Sequence, residues 1–328
     1  MICQYVPPHV IDRLARCNHC AKTTSHESFR NRTARSAWFD AVSNPSASAS
    51  RVIYDSEGTW DTRRVLARQE GDPASSRMEV NEAFDYAGKI RDFLKTWNWN
   101  GVDGQGSTMI LNVRFGERFM NAFWTGSEIV LGEGDGQLFL EFGKSLDVLA
   151  HEMGHGVVQH TAALDYKGQA GALNEHFADV IGQCVQQWTS LADADNADWL
   201  IGNEIMGPAL HGEALRSMKA PGTAYDHPNL GVDPQPAHAR DYYHGPEDNF
   251  GVHINSGIFN RAFYLVAMAI GTQLAGRVWF QGLQNLWPAA GFEDAKEVLV
   301  EAARQLTPKT VPEGTVQTVR LAFRDVGL

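Results

Sequence analysis

A chain of 328 residues is long enough for one large domain or two ordinary ones, each with its own core. Apolar content of 43% and charged content of 20% are those of an ordinary soluble globular protein. The formal net charge of -11 argues against nucleic acid and anionic membrane surfaces as partners, because both attract a basic patch.

The stretch Met1 to Pro8 has neither a positive segment nor a long apolar run, so no Sec-type signal peptide is expected. That fits a cytoplasmic protein, or one exported by a route that leaves no such mark. Cys3, Cys17, Cys20 and Cys184 do not make a disulfide framework, and Cys184 lies in an apolar helical context. The run Cys17-Asn18-His19-Cys20 could form half of a zinc knuckle. No second Cys-x-x-Cys follows and His26 is the only nearby helper, so no metal site is expected there. Residues 1 to about 50 end in Ser43-Asn44-Pro45-Ser46-Ala47-Ser48-Ala49-Ser50, which reads as a flexible, protease-accessible linker.

From Arg51 to about Trp124 the pattern is strand-like, with hairpin signals at Asp55-Ser56-Glu57-Gly58 and Asp103-Gly104. One helix interrupts it, because Val80 to Trp97 place Ala83, Phe84, Ala87, Ile90, Phe93 and Leu94 at helical spacing. After Gly143 helices are predicted over 145–161, 172–189, 253–275, 293–306 and 314–325. The apolar stretch Ala262 to Ala275 contains Gln273 and falls short of the ~20 residues that span a bilayer, so it reads as a buried helix. Strands first and helices later predict an α+β chain with two lobes. The expected division is 1–50, a propeptide and linker; 51–160, a β-rich lobe; and 161–328, a mainly helical lobe.

The chemistry centres on His151-Glu152-Met153-Gly154-His155, which follows Leu146-Asp147-Val148-Leu149-Ala150 inside an amphipathic helix. Spacing of i, i+4 puts both imidazoles on one face, able to share a cation, while Glu152 reaches a metal's water rather than the metal. Zinc suits two neutral imidazoles and a carboxylate with a fourth position open. The third ligand is offered by Glu175 in Asn174-Glu175-His176-Phe177-Ala178-Asp179, and Asp179, one turn later, can accept a hydrogen bond from a ligand histidine. A metzincin is excluded, since Val158 and Thr161 stand where that class requires glycine and histidine.

These motifs, with Asn121-Ala122-Phe123-Trp124 before them and Asp248-Asn249-Phe250-Gly251-Val252-His253-Ile254-Asn255-Ser256-Gly257 after, resemble the thermolysin-like neutral metalloproteases. The likeness covers about residues 52–328. Tyr5-Val6-Pro7-Pro8-His9-Val10-Ile11 is similar to the short propeptide of the protealysin-like branch, whose members lack a conventional signal peptide. The resemblance implies a two-lobed fold with a central zinc-binding helix, and a secreted zinc endopeptidase made as a zymogen that takes protein or peptide substrates. It implies Glu152 as general base, Tyr166 and His253 as donors to the oxyanion, and Asp248 as the carboxylate orienting His253. Asn174 and Asp179 would steady the ligand histidines. Arg216 would hold a substrate carbonyl, and Asn121 and Ala122 would pair with the substrate backbone. The pocket for the residue after the cut would be lined by Phe139, Phe142, Val148, Ile201 and Leu215, which favours a hydrophobic side chain.

Departures from the pattern carry expectations too. Asp147 and Asp198 match acids of thermolysin's calcium site, but Gln186, Leu200 and Asn203 replace others, so calcium binding is doubtful. Phe250 stands where the family usually has glycine. Two modes of self-inhibition fit the N-terminus: Pro7-Pro8 lying across the cleft, or the Cys3 thiolate on the zinc. A non-catalytic peptide-binding protein on the same fold is the alternative, disfavoured because Glu152 and all three ligands are present.

Overall fold

The computed structural model describes residues 3–16, 18–33 and 48–328. The Cys17 half of the possible zinc knuckle and most of the serine-rich linker lie outside the described residues. The chain forms two compact units. One takes the described residues up to His160 together with Gly202–Glu213 and His227–Gly231. The other takes Thr161–Ile201, Ala214–Asp226 and Val232–Leu328.

The first unit opens with a short strand β1 (Cys3–Gln4) and two helices, α1 (Pro8–Leu14) and α2 (His19–Thr33). Pro8 sits in the first turn of α1, where its missing N–H is not needed. Strands β2 (Arg51–Asp55) and β3 (Val65–Gln69) precede helix α3 (Met78–Thr96), which starts slightly earlier than its periodicity predicts. Helix α3 buries the expected stripe of Val80, Ala83, Phe84, Ala87, Ile90, Phe93 and Leu94. Strands β4 (Met109–Phe115), β5 (Ala122–Trp124) and β6 (Ile129–Gly132) follow, then helix α4 (Leu146–Gln159).

The strands form one mixed sheet in the order β1-β5-β6-β4-β2-β3. Strand β2 runs parallel to β4 and β4 parallel to β6, while β5 is antiparallel to β6 and β2 to β3. The hairpin expected at Asp103-Gly104 is instead a bend: the Asp103 carboxylate accepts the Gln105 and Ser107 N–H groups and curls the loop without pairing flanking strands. Helix α4 is buried all round, including both histidines of the motif. It comes close to β5 at Gly156, where a Cβ would stand 2.2 Å from Val102 Cγ1 and 3.1 Å from Trp124 Cζ2. The Trp124 indole N–H donates to Gln159 Oε1 at 2.9 Å, joining α4 to the strand.

The second unit is mainly helical. Helix α5 (Gly168–Ser190) is followed by the short antiparallel pair β7 (Leu200–Ile201) and β8 (Arg216–Ser217). The single helix expected over 253–275 is two, α6 (Glu247–Ile270) and α7 (Thr272–Leu283). Gly271, at φ +89°, breaks them apart in a conformation that side chains disfavour. Helices α8 (Phe292–Leu306) and α9 (Thr315–Asp325) complete the unit around Phe259, Phe263, Trp279, Phe292 and Phe323. Among the described residues no helix is long and apolar enough to cross a membrane.

Candidate active site

On α4, His151 and His155 sit one turn apart with their rings perpendicular and their Nε2 atoms 3.0 Å apart. Two imidazole nitrogens converge so closely in a buried place when they aim at one cation. His151, His155 and Glu175 are all buried, and one ligand atom from each lies within 4.8 Å of the others. The donor set of two imidazoles and one carboxylate fits zinc and leaves a coordination position open. Glu152 lies beside His151 on the same helix and is fully buried.

The second unit arranges its own polar groups around Glu175 on α5. The Tyr166 hydroxyl donates to Glu175 Oε1 and lies 3.3 Å from His253 Nε2. His253 Nε2 is 3.5 Å from Glu175 Oε2. Asp248 grips His253 twice, accepting its backbone N–H at 2.8 Å and standing 2.6 Å from Nδ1. That contact places the proton on Nδ1 and orients the ring. Burial works against a charged His253, but the carboxylates of Asp248 and Glu175 outweigh it and hold its pKa above the usual histidine range.

Asp179 accepts from Arg216 through a two-pronged contact, Nε to Oδ2 at 2.9 Å and a terminal nitrogen to Oδ1 at 2.8 Å. Asn260 Nδ2 donates to the same Oδ2 at 2.9 Å. Asn260 also accepts from His176 Nδ1 at 2.7 Å, and Trp279 Nε1 donates to His176 Nε2 at 2.7 Å. Burial pushes the His176 pKa down to about 4, against smaller upward pulls from Asn260 and Asp179, so this imidazole is neutral. Asn174 Nδ2 donates to the Leu164 carbonyl at 3.1 Å. Asn260, His176 and Trp279 were not among the expected site residues, because a helical asparagine or tryptophan carries no sequence mark of its partner.

The N-terminal segment lies along β5. Strand β1 pairs antiparallel with it, Cys3 opposite Trp124 and Gln4 opposite Phe123. The Tyr5 N–H then donates to the Ala122 carbonyl at 3.0 Å. Asn121 brackets Val6, accepting its N–H at 2.8 Å and donating to its carbonyl at 3.2 Å. Tyr5 is fully buried, with its ring edge-on to the His151 ring at 5.1 Å between centroids and its hydroxyl donating to Asp147 Oδ2 at 3.1 Å. Pro7 and Pro8 come after these contacts and open α1, with the Pro7 carbonyl accepting from Val10 and Ile11. The side chain of Cys3 lies outside the described residues. Tyr5 opens the propeptide-like motif, but its contacts with His151 and Asp147 were not anticipated, since no local pattern marks partners so distant in sequence.

Asp147 is fully engaged. Besides Tyr5, its carboxylate accepts the Ser145 hydroxyl and the Gly202 N–H, the latter at 2.7 Å. Asp198 accepts the Leu200 N–H at 3.1 Å. The apolar residues expected to line the specificity pocket are buried, Phe139, Phe142 and Val148 in the first unit and Ile201 and Leu215 in the second.

Comparison with known proteins agrees with this geometry. Residues 17–159 match the family described as thermolysin metallopeptidase, catalytic domain, and residues 162–328 match thermolysin metallopeptidase, alpha-helical domain. An extracellular metalloprotease of Pectobacterium carotovorum subsp. carotovorum is 40% identical, over 98% of this chain and 97% of that protein. A thermolysin of Alicyclobacillus acidocaldarius subsp. acidocaldarius is 36% identical over 78% of this chain, which spans 46% of the thermolysin's length. The solved structure of the precursor of protealysin, a metalloproteinase from Serratia proteamaculans, aligns with a TM-score of 0.89 at 37% identity, covering 99% of both chains.

Proposed function

The chain belongs to the thermolysin metallopeptidase family and is a zinc-dependent endopeptidase, and we propose that Glu152 is its general base and that its own first residues keep it silent. The observation that carries this reading is the buried convergence of His151, His155 and Glu175 with Glu152 on the same helix. His151, His155 and Glu175 would hold the zinc, which would supply Lewis-acid polarisation of the scissile carbonyl and acidify the attacking water to a pKa of ~7.

The remaining chemistry belongs to side chains. A Glu152 carboxylate oxygen takes the proton of the attacking water and passes it to the leaving amine nitrogen. Tyr166 and His253 donate to the oxygen of the tetrahedral centre, each worth up to ~3 kcal/mol of barrier. Asp248 holds Nδ1–H and orients the ring, and Nε2 donates from the charged imidazolium, the form that Asp248 and Glu175 favour. In the form described, the Tyr166 hydroxyl is turned onto Glu175, and substrate entry would exchange that partner for the oxyanion. Arg216 stiffens α5 through Asp179 in this form, a contact that supports a positioning part alongside the expected grip on a substrate carbonyl. Asn174 and Asp179 steady the ligand helix.

Substrate would bind as an extended strand on β5, using Asn121 and Ala122. Residues Gln4 to Val6 already use those groups, which supports the division into a propeptide with linker (1–50), a β-rich catalytic lobe (51–160) and a helical one (161–328). Inhibition in cis is then occupancy of the substrate edge, with Tyr5 against a zinc ligand. The Pro7-Pro8 turn directs the chain into α1, and a Cys3 thiolate on zinc is not needed. Apolar Phe139, Phe142, Val148, Ile201 and Leu215 favour a hydrophobic residue after the cut. Kinship with an extracellular metalloprotease supports secretion. Hydrolysis of casein or a quenched peptide by the form lacking the first ~50 residues, lost in Glu152→Gln with zinc content unchanged, tests the assignment. A fully active Glu152→Gln enzyme would refute it.

A further inference from the structure

Helix α6 opens with a left-handed turn, Asp248, Asn249, Phe250 and Gly251 having φ of 55°, 50°, 66° and 76°. Gly251 suits that conformation and has no room for a side chain, since a Cβ would lie 2.6 Å from Tyr243 Cδ1. Phe250 does not suit it: a bulky residue at positive φ is strained. Nor does burial compensate, because Phe250 is 43% exposed. A residue that is both strained and exposed is poorly explained by the stability of the fold and is a candidate for contact with a ligand.

Its place relative to the proposed oxyanion donors says which ligand. The segments 166–167 and 248–253 touch twice. Inside, Tyr166 meets His253. Outside, Lys167 Nζ stands 4.6 Å from the centre of the Phe250 ring. Each outer residue is the immediate or near neighbour of an inner one, so the exposed ring lies close to the proposed oxyanion donors. Lys167 covers one face of the ring and anchors it through a cation–π contact. Asp165 and Glu247, each one residue before its segment, are exposed, and the whole chain carries -11, so a carboxylate side chain is disfavoured there. A ring able to stack offset or edge-on is favoured.

Resting on the endopeptidase reading, we infer that Phe250, held by Lys167, is a specificity-determining residue that selects substrates with an aromatic side chain near the scissile bond. The test uses the matured enzyme and its Phe250→Gly variant. The substrates are sets of quenched peptides that carry Phe or Ala at each position flanking a fixed cut. The inference expects one position where wild type prefers Phe. There Phe250→Gly lowers kcat/KM for the Phe peptide about three- to tenfold and leaves the Ala peptide within about twofold. It also expects the variant's Tm to be equal or higher, because glycine relieves the left-handed strain. Equal loss on both peptides, or a fall in Tm accompanied by no change in preference, would overturn it. A matured wild type that cleaves no peptide would overturn the endopeptidase reading as well, so the two failures are distinguishable.

Discussion

At single residues, the chemistry turns on protonation. Glu152→Gln should lower kcat by about 10²–10⁴ while zinc stays bound, read by steady-state kinetics and metal analysis. Asp248→Ala frees His253 to turn or change tautomer, so kcat should fall with little change in KM, the mark of an interaction made in the transition state. A third residue predicts a pH effect on stability. Burial pushes the Glu141 carboxyl up to about 7 from an ordinary 4.5, with Lys144 opposing and Glu79 and Glu82 reinforcing. Between those values the folded state holds a proton that the unfolded chain releases. Stability therefore declines as pH rises from about 4.5 to about 7 and levels off above. Glu141→Gln should remove that slope and raise Tm at pH 8 but not at pH 4, measured by thermal unfolding across the range. The zinc ligands were legible in sequence because i, i+4 histidines and a spaced carboxylate form a periodic signal. Tyr5 and Asn260 were not, because their roles depend on partners more than eighty positions away.

At the scale of elements, the N-terminal strand on β5 is the feature with most consequence. Its bonds are to backbone and to Asn121, so they are those an extended peptide of almost any sequence could make. Side chains add anchors: Tyr5 through the His151 ring and Asp147, and buried Gln4, whose Oε1 accepts from Asn121 Nδ2 at 3.5 Å. Tyr5→Ala in the uncleaved precursor should raise basal peptidase activity or speed maturation, followed by peptide hydrolysis and by the appearance of the shortened chain. Helix α5 depends on a buried ion pair. Arg216→Ala leaves Asp179 buried with only part of its partnership and should destabilise the protein by about 3–5 kcal/mol, seen in denaturant unfolding. The long helices were readable from their apolar periodicity, and the burial of α3 follows it residue by residue. The break at Gly271 was missed, since one glycine in an apolar run is compatible with a continuous helix. The two-residue strands β1, β7 and β8 are too short to show alternation at all.

At the scale of the whole molecule, both family matches together reach from residue 17 to the last residue, and the helical and β-rich characters fall where composition placed them. What composition could not show is that Gly202–Glu213 and His227–Gly231 return to the first unit, because such excursions follow tertiary packing rather than local pattern. Asp147 spends its carboxylate on Ser145, Gly202 and Tyr5, and Asp198 binds a backbone N–H. Added calcium should therefore leave the Tm of the precursor unchanged, and a strong upward shift would contradict that. The most direct test of the central claim is zinc analysis paired with a peptidase assay, before and after removal of the first ~50 residues. The account predicts about one zinc per chain in both forms, with chelator-sensitive hydrolysis appearing only after removal. Zinc present in a shortened form that cleaves no peptide would contradict it.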